Sequence, residues 1–141
     1  MATAAESALP SARDRKLWIG WTLSGLIIAF MLMDATMKLL TLPVVLQAGD
    51  ALGFAGAPLA RGLGAGLLIC TLLYAAPRTS VLGAIVLTGY LGGAVAAHVR
   101  VGNPLFSHVL FGVYLGVMLW GGLYLRDARL RALLPLMSSA R

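Results

Sequence analysis

LWIGWTLSGLIIAFMLMDATMK, residues 17–38, runs without a charge from Leu17 to Met33 and then places Asp34 and Lys38 one helical turn apart. A helix needs about 20 apolar residues to cross a hydrocarbon core of ~30 Å, so this run is long enough for one span. It is longer than the apolar region of a secretory signal, and residues 34–38 contain no small-x-small cleavage site, so it reads as a retained first span. Three more runs of the same kind follow. The expected spans are about 17–39, 59–76, 80–99 and 105–125, and the expected fold is all-α, an integral membrane up-down bundle of four transmembrane helices.

Composition agrees with that reading. Sixty per cent of the residues are hydrophobic, 11% are charged and the mean hydropathy is +0.89, whereas a soluble domain carries about a quarter charged residues. The net charge of +6 does not point to nucleic acid, because the basic residues flank apolar runs instead of forming a patch with interleaved aromatics. The single cysteine, Cys70, lies inside an apolar run, which excludes an intrachain disulfide and a CxxC exchange centre.

The connections set the topology. Residues 1–16 are polar, small or basic and are expected to form a disordered cytoplasmic tail. Residues 17–126 form the membrane domain, and 127–141 a basic cytoplasmic C-terminal tail. Residues 41–58, with Pro43, Gly49, Gly53, Gly56 and Pro58, are too broken to span again and predict a short interfacial helix from Pro43 followed by a glycine-rich turn. The turns at 76–79 and 100–104 are short, and short turns force antiparallel neighbours.

With four spans both termini share one side. Arg13, Arg15, Lys16, Arg78, Arg126, Arg129, Arg131 and Arg141 fall on that side, and only Lys38, Arg61 and Arg100 on the other. The positive-inside rule makes the terminal side cytoplasmic, in a multi-pass protein of the cell membrane. Trp18, Trp21, Tyr74, Trp120 and Tyr124 fall toward the same side and are expected to form an interfacial belt. Gly62/Gly66, Gly89/Gly93, Gly93/Ala97 and Gly112/Gly116 are small-xxx-small pairs, expected to pack helices within the monomer, with a homo-oligomer face as the alternative.

The polar residues inside the spans are the candidates for function, since a charge at mid-membrane costs about 2.5–3.5 kcal/mol on the gentlest scale. At 1.5 Å per residue Asp34 lies about 25 Å along the first span, near the non-cytoplasmic surface. His98 on the third span and His108 on the fourth reach a similar level, and Arg61 is shallower. Asp34 and Lys38 share a helix face and suit an ion pair, for which Arg61 competes. Tyr90 and His98 lie on one stripe of the third span. Asp34, Lys38, Arg61, Tyr90, His98, Asn103 and His108, with Arg100 and Ser107 beside them, outline a polar pocket open to the non-cytoplasmic side.

Plainer roles compete with this one. Lys38, Arg61 and Arg100 are close enough to helix ends to snorkel into head groups, and His108 reads equally as a hydrogen-bonded core residue. Asp34 is too short to snorkel far. No metal site is assigned: Asp34, His98 and His108 lack any HxxxH or HExxH spacing, and Met31, Met33 and Met37 form no clean ligand set. There is no haem, nucleotide or iron–sulfur signature, no nucleophile elbow and no carboxylate pair, so catalytic residues are left unassigned.

DATMKL at 34–39, the connection 43–58 with its glycine-rich end, GYLGGAVAAH at 89–98 and Asn103-Pro104 together resemble the DoxX-like family of small four-helix membrane proteins, over roughly residues 17–126. The resemblance implies Lys38, His98 and the Asn103-Pro104 turn as family-like positions. It also implies an association with membrane redox systems, quinone- or sulfur-linked, or alternatively an assembly factor for other membrane proteins. With no cysteine pair, redox work would need a bound quinone, a metal or a partner subunit. A small-solute transporter is the weaker alternative, because four helices leave little room for a path.

Overall fold

The computed structural model describes residues 11–134, and every regular element in them is helical. They are α1 (Ala12–Leu39), α2 (Pro43–Ala51), α3 (Ala57–Ala75), α4 (Ser80–Arg100), a wide turn (Leu105–Val109), α5 (Phe111–Arg126) and α6 (Ala128–Leu133). Four helical stretches, Ala12–Leu39, Ala57–Ala75, Ser80–Arg100 and Leu105–Arg126, are long and apolar enough to cross a membrane. The four-helix bundle expected from hydropathy is therefore the fold, and a lipid bilayer is its medium.

Two boundaries differ from expectation. α1 begins at Ala12, so residues 12–16 are helical instead of disordered. The cause is a capping box, in which Ser11 Oγ accepts from Asp14 N at 3.2 Å and the Asp14 carboxylate accepts from Ser11 N at 3.2 Å. After α5, Asp127 caps α6 by accepting from the backbone of Arg129 and Leu130, and α6 folds back to bury Leu130. The expected tails at 1–10 and 135–141, including Arg141, lie outside the described residues.

α1 packs against α3 and α5, and α4 packs against the same two, so α1 and α4 lie across the diagonal of the bundle. Lipid gives helices no hydrophobic reason to associate, so close backbone approach must hold them together. Each neighbouring pair has a glycine in its contact. A Cβ at Gly20 would sit 2.9 Å from Arg126 N, and one at Gly122 3.0 Å from Ser24 N, which joins α1 to α5. Gly64 meets Ala35, Lys38 and Leu39 of α1, Gly83 meets the backbone of Leu73 and Tyr74, and Gly112 meets Leu91 and Val95 of α4.

Of the residues in the small-residue pairs expected to pack the monomer, Gly112 and Ala97 do so. Gly62, Gly66, Gly89, Gly93 and Gly116 would each point a Cβ into open space. The reason is rotational: the spacing marks a stripe on a helix but not the direction in which the stripe faces.

Tyr74 is another correction. It is fully buried, not part of an interfacial belt. Its hydroxyl lies 3.0 Å from Ser24 Oγ and donates to Leu119 O at 2.8 Å, tying α1, α3 and α5 together. Trp18 and Trp21, by contrast, are exposed as an interfacial ring would be.

Candidate functional site

The end of the bundle away from the termini is not filled. Where α1 and α4 face each other across the diagonal, a cavity of about 480 Å³ remains, lined mainly by apolar side chains. Phe30 and Met31 of α1, Leu63 of α3, and Phe111 and Leu115 of α5 form the walls. Gly89 and Gly93 line the α4 side and leave the space that any larger residue would occupy. Phe30 and Phe111 meet edge to face, with ring centroids 5.6 Å apart, an arrangement that fixes both rings.

Polar groups enter from three elements. Asp34 and Lys38 both line the cavity and form an ion pair within α1, with side-chain exposures of 30% and 19%. The pairing leaves no isolated charge against lipid. Tyr90 and His98 come from α4, two turns apart on one face. His108 comes from the wide turn, and its ring centroid is 5.7 Å from that of His98.

The wide turn explains how His108 gets there. Pro104 cannot continue a helix from α4, and the chain restarts with Val109 N bonded to Pro104 O at 3.3 Å and Leu110 N to Leu105 O at 2.8 Å. These i to i−5 bonds make a π-type turn, a distortion that often marks functional positions. Ser107 Oγ holds His108 Nδ1 at 2.8 Å.

His98 is oriented by Asn103, whose Nδ2 lies 2.7 Å from His98 Nδ1. An amide nitrogen can only donate, so Nδ1 is the acceptor and the proton of a neutral ring sits on Nε2. His98 is thus fixed in one tautomer, with an N–H to offer. The residues 52–54 close the far side: Leu52 and Phe54 line the cavity, and Arg100 donates from its Nη2 to Leu52 O, joining this loop to the end of α4.

The structure brings together Asp34, Lys38, Tyr90, His98 and His108. Asn103 does not line the cavity and acts through His98. Arg61 is exposed and does not line the cavity, and the partner of Asp34 is Lys38. Arg61 is two residues before Leu63, which turns it about 200° away on a helix of 3.6 residues per turn.

The aromatic and glycine lining was not expected from the sequence. Phe30 and Phe111 stand in apolar stretches, where ring-lined cavities and lipid-facing rings have the same composition, and Phe54 stands in the glycine-rich connection. Gly89, Gly93, Ala97 and Gly112 carry a signal in their small-xxx-small spacing, but that spacing reads as helix packing.

The sequence model of the DoxX-like family matches residues 22–122, from within α1 to within α5, and includes the whole cavity. The chain belongs to the DoxX-like family. No curated protein and no solved structure matches it. Membership makes it a multi-pass integral membrane protein, in agreement with its four spanning helices.

Proposed function

We propose that this DoxX-like protein takes a ring-shaped amphipathic molecule from the membrane into the cavity and serves a membrane redox system, a quinone-type head group being the class that fits best. The observation that carries this reading is the pairing of apolar, aromatic walls with polar groups from α1, α4 and the wide turn in one space of about 480 Å³. Ligand pockets of this kind range from about 300 to 1,000 Å³ and use a few placed polar groups for orientation. A quinone carbonyl needs a donor, and its reduced form needs a proton acceptor. His98, with its N–H on Nε2, and Lys38 supply donors, while the His98–His108 pair supplies exchangeable protons. Phe54 and Phe111, 36% and 44% exposed, stand at the rim where an isoprenoid tail would leave.

In this reading the cavity faces the non-cytoplasmic side, and both termini lie in the cytoplasm of a cell-membrane protein, as the basic residues favour. The test is mass spectrometry of small molecules retained by the detergent-purified protein. Wild type is expected to retain a quinone or related ring compound, and His98→Ala to lose most of it. Retention of no ring compound by the wild type, with no change in membrane redox assays on deletion, would overturn the reading.

A second reading, an assembly or interaction factor, is favoured by α3. Gly62 and Gly66 face open space between exposed Leu59 and Ile69, a surface that would suit a partner helix. Crosslinking from this face that recovers no specific membrane protein would count against it.

A further inference from the structure

At the opposite end of the bundle, Arg126 closes α5 in an arrangement that fold stability alone does not account for. Its guanidinium carbon lies 4.6 Å from the centroid of the Trp21 ring and 5.1 Å from that of Tyr74, so two aromatic faces fix it. Nη2 donates to Tyr74 O at 3.2 Å. Nε, however, is buried and has no acceptor among the described residues. A buried charged donor without a partner is costly, and it asks for an acceptor from outside the chain.

Beside it is a crevice of about 220 Å³, lined by Trp21, Pro77, Ser80, Arg126, Asp127 and Arg129. The carboxylate in the crevice is already engaged. Asp127 Oδ1 accepts from Arg129 N at 2.8 Å and from Leu130 N at 3.4 Å, and lies 3.8 Å from Arg129 Nε. Arg129 reaches Pro77 O at 3.4 Å through Nη2 and is otherwise exposed. Two guanidinium groups therefore face a space in which the one carboxylate is occupied as a helix cap.

We propose that this crevice binds the phosphate of an anionic phospholipid. The guanidinium fork matches phosphate oxygens better than any other side chain does. The level is right as well: α5 ends here, and Trp21 is half exposed, as a ring at the membrane–water boundary is. The volume admits a phosphate and part of a head group, while the chains stay outside against exposed Trp18 and Ile19. A lipid phosphate in the crevice pairs with the guanidinium groups of Arg126 and Arg129 that line it, and anionic lipids are abundant in the leaflet that basic helix ends face. The site lies at the far end of the bundle from the cavity and does not depend on what the cavity holds.

Native mass spectrometry of the full chain, released from nanodiscs of equal phosphatidylglycerol and phosphatidylcholine with identical acyl chains, tests this. Wild type is expected to retain phosphatidylglycerol preferentially, and Arg126→Gln and Arg129→Gln each to lower that preference about tenfold, the scale of one lost charge-assisted hydrogen bond. Lys16→Gln removes the same charge from the same end of the bundle, outside the crevice, and is expected to change nothing. Arg129→Gln keeps the test decisive if Arg126→Gln fails to fold, since Arg129 is 75% exposed. Equal retention of the two lipids by wild type, or an equal loss from Lys16→Gln, would overturn the proposal. Displacement of the lipid by millimolar inorganic phosphate would make the site a free-anion site and overturn the lipid assignment.

Discussion

At the end of the bundle that carries the termini, Tyr74 is fully buried with its hydroxyl shared between Ser24 and the carbonyl of Leu119, and Gly20, Gly83 and Gly122 let backbones touch. At the other end Tyr90 lines a cavity, Gly89 and Gly93 face empty space, and two histidines stand 5.7 Å apart. The same residue types, tyrosine and glycine, do opposite things. One end uses them to remove volume and satisfy polar atoms, the other to keep volume and leave polar atoms available. A membrane bundle gains its stability from close approach, and the cavity end keeps it only between neighbouring helices, at Gly64 and Gly112, while the space across the α1–α4 diagonal stays open.

That asymmetry is most easily broken at Gly83. A Cβ there would overlap the backbone of Leu73 and Tyr74, where no flexible side chain can yield. Gly83→Ala is expected to destabilise the protein by about 3 kcal/mol or more, the upper range for overpacking, and to lower accumulation in the membrane. Thermal unfolding in detergent measures this, and a midpoint equal to wild type would show that the tight end does not carry the stability assigned to it.

The next largest effect separates the two tyrosines. Tyr74→Phe leaves Ser24 Oγ and Leu119 O without their shared partner and is expected to cost about 1 kcal/mol. Tyr90→Phe, whose hydroxyl makes no hydrogen bond among the described residues, is expected to cost much less. Equal losses from the two would mean that the hydroxyl at the cavity end is as structural as the buried one.

A smaller and local effect is expected at Arg100. Its bond to Leu52 O ties residues 52–54 across the open end. Arg100→Gln is expected to raise amide exchange over residues 50–56 severalfold without changing the global unfolding midpoint, since loop opening is separable from global unfolding. Unchanged exchange would show that Leu52 and Phe54 close the cavity through their own packing.

How far this contrast was visible beforehand follows from the kind of signal each part leaves. Span count and antiparallel order come from run lengths and turn chemistry, which lipid enforces residue by residue, and so they were legible. Asp34, Lys38, His98 and His108 were legible as a level because ionisable residues in a span are rare enough to stand out. Their depth could be counted, but their direction could not. Arg61 lies at the same end of the bundle, but shallower and on the wrong azimuth. Tyr74 looked interfacial because a residue near a helix end has the same sequence whether it faces lipid or three other helices. α1 began earlier than hydropathy allowed because Ser11 and Asp14 cap it, and a capping box leaves no trace in an apolar window.

Gly93 gives the sharpest and least disruptive test of the open end. A larger side chain there would meet no atom within 4 Å at its Cβ and would grow into the space beside Tyr90, Ala94 and His98. In most helical contexts replacing glycine by leucine gains up to about 1 kcal/mol of helix propensity. Gly93→Leu is therefore expected to leave the unfolding midpoint unchanged or slightly raised, while narrowing the cavity and lowering retention of any ring compound. Gly83→Ala adds a single methyl and should do the reverse, lowering stability while leaving the cavity lining intact in whatever protein still folds. If Gly93→Leu destabilises the bundle as Gly83→Ala does, the space at that end is closed in the membrane and the contrast between the two ends fails. If stability holds and the ligand stays bound, the ligand sits elsewhere, and the histidine pair has no claim on it.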